Sequence, residues 1–196
     1  LKFYYLLSRF TQKNKTPNFS IDSPREIRDG EEFALETLKT YLSENNINAD
    51  DLSIKQFPSG YSNLTYFLKS SSEEFVLRRP PFGAKSLQGG HDMFREYNVL
   101  KNLKSQFLKV PDVYLYCDNS EIIGAPFYLM ERVKGYIIRP DLQQKDSPGK
   151  EVIQNVSKSL VSTLVELHNV DIDQANLNEL GNINGYVKRQ VEGWIK

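Results

Sequence analysis

Apolar and polar side chains alternate most clearly over residues 57–83, FPSGYSNLTYFLKSSSEEFVLRRPPFG. Leu64, Tyr66 and Leu68 fall on one face and Asn63, Thr65 and Phe67 on the other, the period of two that a half-buried strand requires. Further on, Phe75, Leu77 and Arg79 point one way and Val76 and Arg78 the other. The spacing predicts strands over 52–57, 62–69 and 74–79, joined by a Pro58-Ser59-Gly60 turn and a polar hairpin at Ser70-Ser71-Ser72-Glu73. Pro80-Pro81 stops the third strand, because proline has no N–H for the ladder. Glycine lacks a Cβ, so the first turn lets backbone N–H groups approach an anion closely. Arg78 beside Val76 sets a cation next to an apolar floor, which suits a nucleotide. An ordinary hairpin with surface arginines has the same pattern.

Elsewhere the period lengthens to that of helices. Asp29 followed by Glu32 reads as a capping box opening a helix, with Phe33, Leu35, Leu38, Tyr41 and Leu42 as its apolar stripe and Asn45-Asn46 as its end. A second helix starts at His91 or Asp92 and buries Met93, Tyr97, Leu100 and Leu103. Glu96 lies along that buried face, where a carboxylate is costly unless paired, and Arg78 is its predicted partner. Strands follow at 112–117 and 126–133, with Gly124-Ala125 in their turn, then a loop over 135–149. Ser147 as cap and Pro148 at the first position open a long helix, with Val152, Val156, Leu160, Leu164 and Leu167 as a core stripe up to His168. A short turn at 177–180 and a helix start at 185–194 complete the pattern. The expected architecture is α+β: a five-stranded antiparallel sheet with one main packing helix, followed by the beginning of a helical lobe. The expected divisions are a polar arm or linker over 1–28, a sheet lobe over 29–134, and a connector with a partial helical lobe over 135–196.

Charge narrows the chemistry. Lys plus Arg and Asp plus Glu are 25 each, so no global field draws the chain to nucleic acid or an anionic membrane, and any anion site must be local. Hydrophobic residues make up 39% of the chain, enough for a globular core. A single cysteine, Cys117, excludes an intrachain disulfide framework and offers no metal cluster. A reducing, cytoplasmic setting is expected, or an organelle if the native N-terminus carries a targeting segment. No apolar run is long enough to span a membrane. The opening LKFYYLLSRF has no small-residue cleavage site and reads as a docking N-terminus; beginning with Leu, it is expected to be incomplete at that end.

The strings FPSGYSNLTYFL, FVLRRPPFG, HDMFREYNVLKNL, GAPFYLMERVKG, LVELHNVD and GYVKRQVEGW, in this order, resemble the N-terminal part of the aminoglycoside phosphotransferase and choline kinase-like family, a branch of the protein-kinase-like fold. The likeness is greatest to the kinase-like domains of acyl-CoA dehydrogenase family members ten and eleven. It implies a kinase-like N-lobe and ATP with Mg²⁺ as cofactors, in a phosphotransferase acting on a small-molecule hydroxyl acceptor such as a hydroxyacyl-CoA. Carried over by position, Ser59, Gly60, Tyr61, Ser62 and Asn63 fall in the phosphate loop, Arg78 at the third-strand cation and Glu96 at its helix partner. Glu131, Arg132 and Val133 fall at the hinge, whose backbone would meet the adenine edge while Val76 packs on its face.

The chain departs from the family pattern in three places. The loop lacks G-x-G-x-x-G, and Arg stands where protein kinases have Lys, which preserves charge while changing geometry. The His-Gly-Asp catalytic motif and the later metal-binding Asp are absent, so no catalytic or metal-ligating residue is assigned and the metal ligands are expected beyond Lys196. His168-Asn169-Val170-Asp171 is the nearest lookalike, and a helix-end role is expected for it. A truncated kinase, inactive alone, is therefore the expected reading; the alternative is a non-catalytic nucleotide-binding or protein-interaction module of the pseudokinase kind.

Overall fold

The computed structural model describes residues 23–58, 62–83, 91–135, 149–181 and 184–195. Five strands, β1 (Ser53–Gln56), β2 (Leu64–Lys69), β3 (Glu74–Arg79), β4 (Val113–Cys117) and β5 (Phe127–Glu131), form one antiparallel sheet in the order β1-β2-β3-β5-β4. Tyr66 stands opposite Leu77 and Leu68 opposite Phe75, so the apolar halves of both alternating patterns meet on one face. Phe127, Leu129, Leu115 and Cys117 join them there, all buried. Arg25 exchanges two backbone hydrogen bonds of 2.8 Å with Gln56, covering part of the β1 edge.

Helix α1 (Leu35–Glu44) closes that face with Leu38 and Leu42, both fully buried. Phe33 meets Tyr66 edge-on at 5.1 Å, and Tyr41 meets Phe127 at 5.9 Å. The expected capping box at Asp29 and Glu32 does not form. Gly30 adopts a left-handed φ of 81°, which turns the chain before the helix, and its N–H donates to Glu32 Oε2 at 2.8 Å. The helix starts only at Leu35, with Ala34 at its N-cap and no side-chain cap.

Helix α2 (Met93–Leu103) packs on the other face across β4 and β5. Asp92 caps it, accepting from the Arg95 N–H at 2.9 Å. The β4–β5 connection holds a short helix, α3 (Ser120–Ile123), capped by Asn119 and ended by Gly124 at φ 82°. A single helical turn carries no periodic signature, and the sequence pattern shows only a turn there.

The long helix α4 (Lys150–His168) has Gly149 at its N-cap and so begins later than expected; Ser147 and Pro148 lie outside the described residues. Among the described residues its stripe is only partly covered, with Val152, Val156 and Leu167 half-buried. Leu160 and Leu164 stay 41% and 39% exposed, and Thr163 is the buried residue of the helix. Apolar spacing marks one face of a helix without supplying what covers it. Among the described residues the packing lies at the C-terminal end: Leu167, Val170 and Leu177 meet Leu103, Phe107 and Val110 at the end of α2. Lys109 ties the two segments by pairing with Glu166 and donating to Thr163 Oγ1. A 3₁₀ turn (Asn178–Leu180) and helix α5 (Tyr186–Trp194), exposed along its length, follow. Among the described residues no helix is long and apolar enough to cross a membrane.

Candidate nucleotide site

Period two sends the adjacent arginines of β3 to opposite faces. Arg79 enters the α1 side and is 1% exposed. Its Nη1 donates to the Ile123 carbonyl at 2.6 Å and its Nε to the Pro80 carbonyl at 3.1 Å, and the guanidinium lies 3.7 Å from the centre of the Phe82 ring. Burial pulls its pKa down, against the opposing pull of Tyr66 and Glu31. The Ile123 carbonyl belongs to the last turn of α3, where a cation complements the helix dipole. Arg79 is thus the bolt between β3 and α3.

Arg78 faces α2. Its Nε donates to Glu96 Oε2 at 3.0 Å, its Nη2 reaches Oε1 at 3.4 Å, and its Nη1 reaches Thr65 Oγ1 at 3.5 Å. The predicted ion pair therefore forms, from the residue that alternation selects. Both side chains stay partly in solvent, at 25% and 33% exposed. Two further donors fix the carboxylate: Tyr128 Oη donates to Oε2 at 3.0 Å, and Asn63 Nδ2 to Oε1 at 2.8 Å. Asn63 is buried, and its Oδ1 lies 2.7 Å from His91 Nδ1. Glu96 can sit on the inner side of α2 because every oxygen it turns inward accepts a hydrogen bond.

The remaining predicted residues divide along this face. Val76 is buried two positions from Arg78, paired in register with Phe67 and Met130. Glu131 ends β5; its N–H donates to the Asp112 carbonyl at 2.8 Å, and its Oε2 accepts from the Asp112 N–H at 3.1 Å. Both its backbone N–H and its carboxylate are thus engaged with the sheet edge. The Arg132 guanidinium stacks 4.7 Å from the centre of Phe57 and 5.9 Å from Phe67, and its Nη1 donates to the Val133 carbonyl at 3.0 Å. Ser62 is exposed at the entry to β2, and Ser59, Gly60 and Tyr61 lie outside the described residues. The structure thus gathers Asn63, Arg78 and Glu96 into one cluster, with Val76 two positions along β3 on the same face and Arg132 packed on Phe57 and Phe67.

Two members of that cluster escape sequence reasoning. Tyr128 sits directly across from Arg78 in the β3–β5 register, but β3 and β5 are far apart in the chain, so no local pattern joins them. His91 reads only as a helix start. In the motif lookalike, His168 is the last residue of α4, the helix end expected for it, and Asp171 beyond it accepts from the N–H groups of Asp173 and Gln174 at 2.9 and 3.0 Å, which opens the turn that follows.

Burial raises five tyrosines, Tyr41, Tyr66, Tyr114, Tyr116 and Tyr128, and gives the fold a pH dependence. Burial pushes Tyr66 up to about 12, and burial together with the neighbouring Glu96 pushes Tyr128 upward, Arg78 opposing. Each neutral hydroxyl is used: Tyr66 Oη donates to the Glu31 carbonyl at 2.7 Å. A phenol raised above its ordinary value near 10 releases its proton more readily when unfolded, so its stabilisation is complete below about pH 10 and is lost as pH rises through the folded value. Urea midpoints are therefore expected to fall between about pH 10 and 12. Tyr66→Phe, which loses about 1 kcal/mol with its hydrogen bond at pH 8, is expected to make that fall shallower, the other raised tyrosines supplying the rest.

Comparison with known proteins settles the family. Residues 53–196 match the family model described as APH, phosphotransferase enzyme family. The chain belongs to the phosphotransferase enzyme family. Acyl-CoA dehydrogenase family member 11 of Rattus norvegicus is 39% identical over 176 residues, covering 87% of this chain and 22% of the relative. Acyl-CoA dehydrogenase family member 10 of Mus musculus is 30% identical over 182 residues, covering 91% and 17%. This phosphotransferase-family chain therefore spans about a fifth of the length of those relatives. A crystallised Ralstonia eutropha protein, provisionally designated an aminoglycoside phosphotransferase, superimposes with a TM-score of 0.64 at 27% identity, over 84% of this chain and 46% of its own. The five-stranded antiparallel sheet with its helices is the kinase-like N-lobe fold of the phosphotransferase family.

Proposed function

We infer that this chain forms the nucleotide-holding part of an ATP-dependent phosphotransferase whose acceptor is a small-molecule hydroxyl. The observation that carries the reading is the Arg78–Glu96 pair at 3.0 Å, held partly exposed by Asn63, Tyr128 and Thr65. A surface ion pair of this exposure contributes little to stability, and the groups converging on it point to a cation whose direction matters. In this reading Arg78 neutralises phosphate oxygens, Glu96 aims it, and Val76 with Phe67 and Met130 offers the base an apolar shelf. Val133 and the Glu131 carbonyl supply the hinge, with Ser59, Gly60, Tyr61 and Ser62 as the phosphate loop over the 29–134 lobe. Among the described residues no group of three His, Cys, Asp or Glu side chains is placed to hold a metal ion. Magnesium, when bound with the nucleotide, would supply further positive charge to the phosphates; among the described residues Arg78 supplies charge and Val76 an apolar surface.

For the acceptor we propose hydroxyacyl-CoA ahead of aminoglycosides or choline; the support for an acyl-CoA class is the name of the relatives, acyl-CoA dehydrogenase family members 11 and 10. Titration of the chain with Mg-ATP tests the nucleotide step. Ligand at one hundred times its Kd raises stability by about 2.7 kcal/mol, read as a rise in Tm, and Arg78→Ala is expected to lose that rise. An equal response from both proteins removes Arg78 from the phosphate role. Binding without transfer to any of the three acceptors, in a protein carrying the complete family domain, favours a non-catalytic nucleotide-binding module.

A further inference from the structure

The residue before the cap of α2 is tied to the residue before β2. A carboxylate only accepts hydrogen bonds, so the Asn63 amide must turn its NH₂ to Glu96 Oε1, at 2.8 Å, and its carbonyl oxygen to His91 Nδ1, at 2.7 Å. An acceptor facing Nδ1 requires the hydrogen on that nitrogen. His91 thereby fixes which way a buried amide points, the amide fixes one oxygen of Glu96, and Tyr128 fixes the other, at 3.0 Å. Were the amide to turn over, its oxygen would face the Glu96 carboxylate and its NH₂ the imidazole.

We propose that His91, acting through Asn63, is a positioning residue for phosphoryl transfer: it holds Glu96, and through Glu96 the guanidinium of Arg78, in the direction the nucleotide phosphates require. The proposal rests on the reading of Arg78 as the phosphate-binding cation. It assigns Asn63 a different task from a phosphate-loop contact, since its side chain is buried and both of its polar ends are used inside the protein.

The side-chain amide nitrogen of asparagine is as many bonds from Cα as histidine Nδ1, whereas glutamine's is one bond farther, like Nε2. His91→Asn can therefore donate to Asn63 from nearly the same place, and His91→Gln and His91→Ala cannot. In a protein carrying the complete family domain, His91→Ala and His91→Gln are expected to lower kcat about tenfold, the effect of about 1.4 kcal/mol at the transition state, with Tm within a few degrees of wild type. His91→Asn is expected to recover most of that loss. Independently of any nucleotide, the imidazole ¹⁵N shifts of His91 in this chain are expected to report the Nδ1–H tautomer. The sequence holds two histidines, so a His168→Gln sample assigns the signals.

An Nε2–H tautomer overturns the relay whatever Arg78 does. Full activity in His91→Ala, alongside loss in Arg78→Ala, overturns the positioning role and leaves the phosphate reading standing. Asparagine no better than glutamine, at equal stability, also overturns it. Full activity in both His91→Ala and Arg78→Ala overturns the phosphate reading and the relay together.

Discussion

Arg79→Ala lowers the free energy of unfolding by about 3–5 kcal/mol, whereas Arg78→Ala, one residue earlier, lowers it by about 1–2 kcal/mol. The difference follows from what each guanidinium touches. Arg79 is 1% exposed, so truncation opens a cavity between β3 and α3. It also strips donors from the Ile123 and Pro80 carbonyls and removes the cation from the Phe82 ring. Cavity and orphaned carbonyls together outweigh the relief of no longer desolvating a charge. Arg78, at 25% exposed, leaves behind a Glu96 that still accepts from Tyr128 and Asn63 and still meets water. Folded domains unfold with about 5–15 kcal/mol, so the Arg79 variant loses a large part of its stability and the Arg78 variant does not. Urea midpoints of the two variants at pH 7 read the difference directly; equal losses would mean that the register of β3 is wrong.

That contrast is legible in the amino-acid sequence by itself. A period of two separates neighbours absolutely, so alternation of Phe75, Val76, Leu77, Arg78 and Arg79 assigns each arginine its face. A period of 3.6 places Glu96 with Met93 and Leu100 on the inward side of α2, and a carboxylate there demands a cation. These are local patterns that each element carries within itself. Tyr128 and His91 are not legible in that way, because what puts them beside Glu96 is the β3–β5 register and the seating of the α2 N-terminus against the entry to β2.

Two misreadings have equally local causes. Asp29 and Glu32 satisfy the spacing of a capping box, yet the glycine between them adopts a positive φ and commits Glu32 to a turn. The stripe of α4 has helical spacing throughout, yet spacing does not say what a face meets, and among the described residues it is covered only in part, Val152, Val156 and Leu167 half-buried and Leu160 and Leu164 exposed. Where a residue's role depends on its own element, the sequence pattern suffices; where it depends on a second element distant in the chain, only the assembled sheet supplies it.

The second large effect concerns rate. In a protein carrying the complete family domain, Arg78→Ala is expected to lower kcat by about 10²–10³-fold while Tm falls by only a few degrees. Phosphoryl transfer leaves little covalent work to the protein, and its rate rests on fixed positive charge aimed at the phosphate oxygens. Arg78 is built for that: Glu96 holds Nε at 3.0 Å and Nη2 at 3.4 Å, so the plane of the guanidinium is set before any ligand arrives. Arg78→Lys separates charge from direction. A lysine keeps the cation but presents a single ammonium on a flexible stem, and it cannot span both oxygens of Glu96 as the planar fork does. Lysine activity close to wild type would show that charge alone is used; activity near that of the alanine variant would show that the fork is. The arrangement around Glu96 predicts the second outcome, because Asn63, Tyr128 and His91 would have no reason to fix a carboxylate whose only task was to sit near a positive charge.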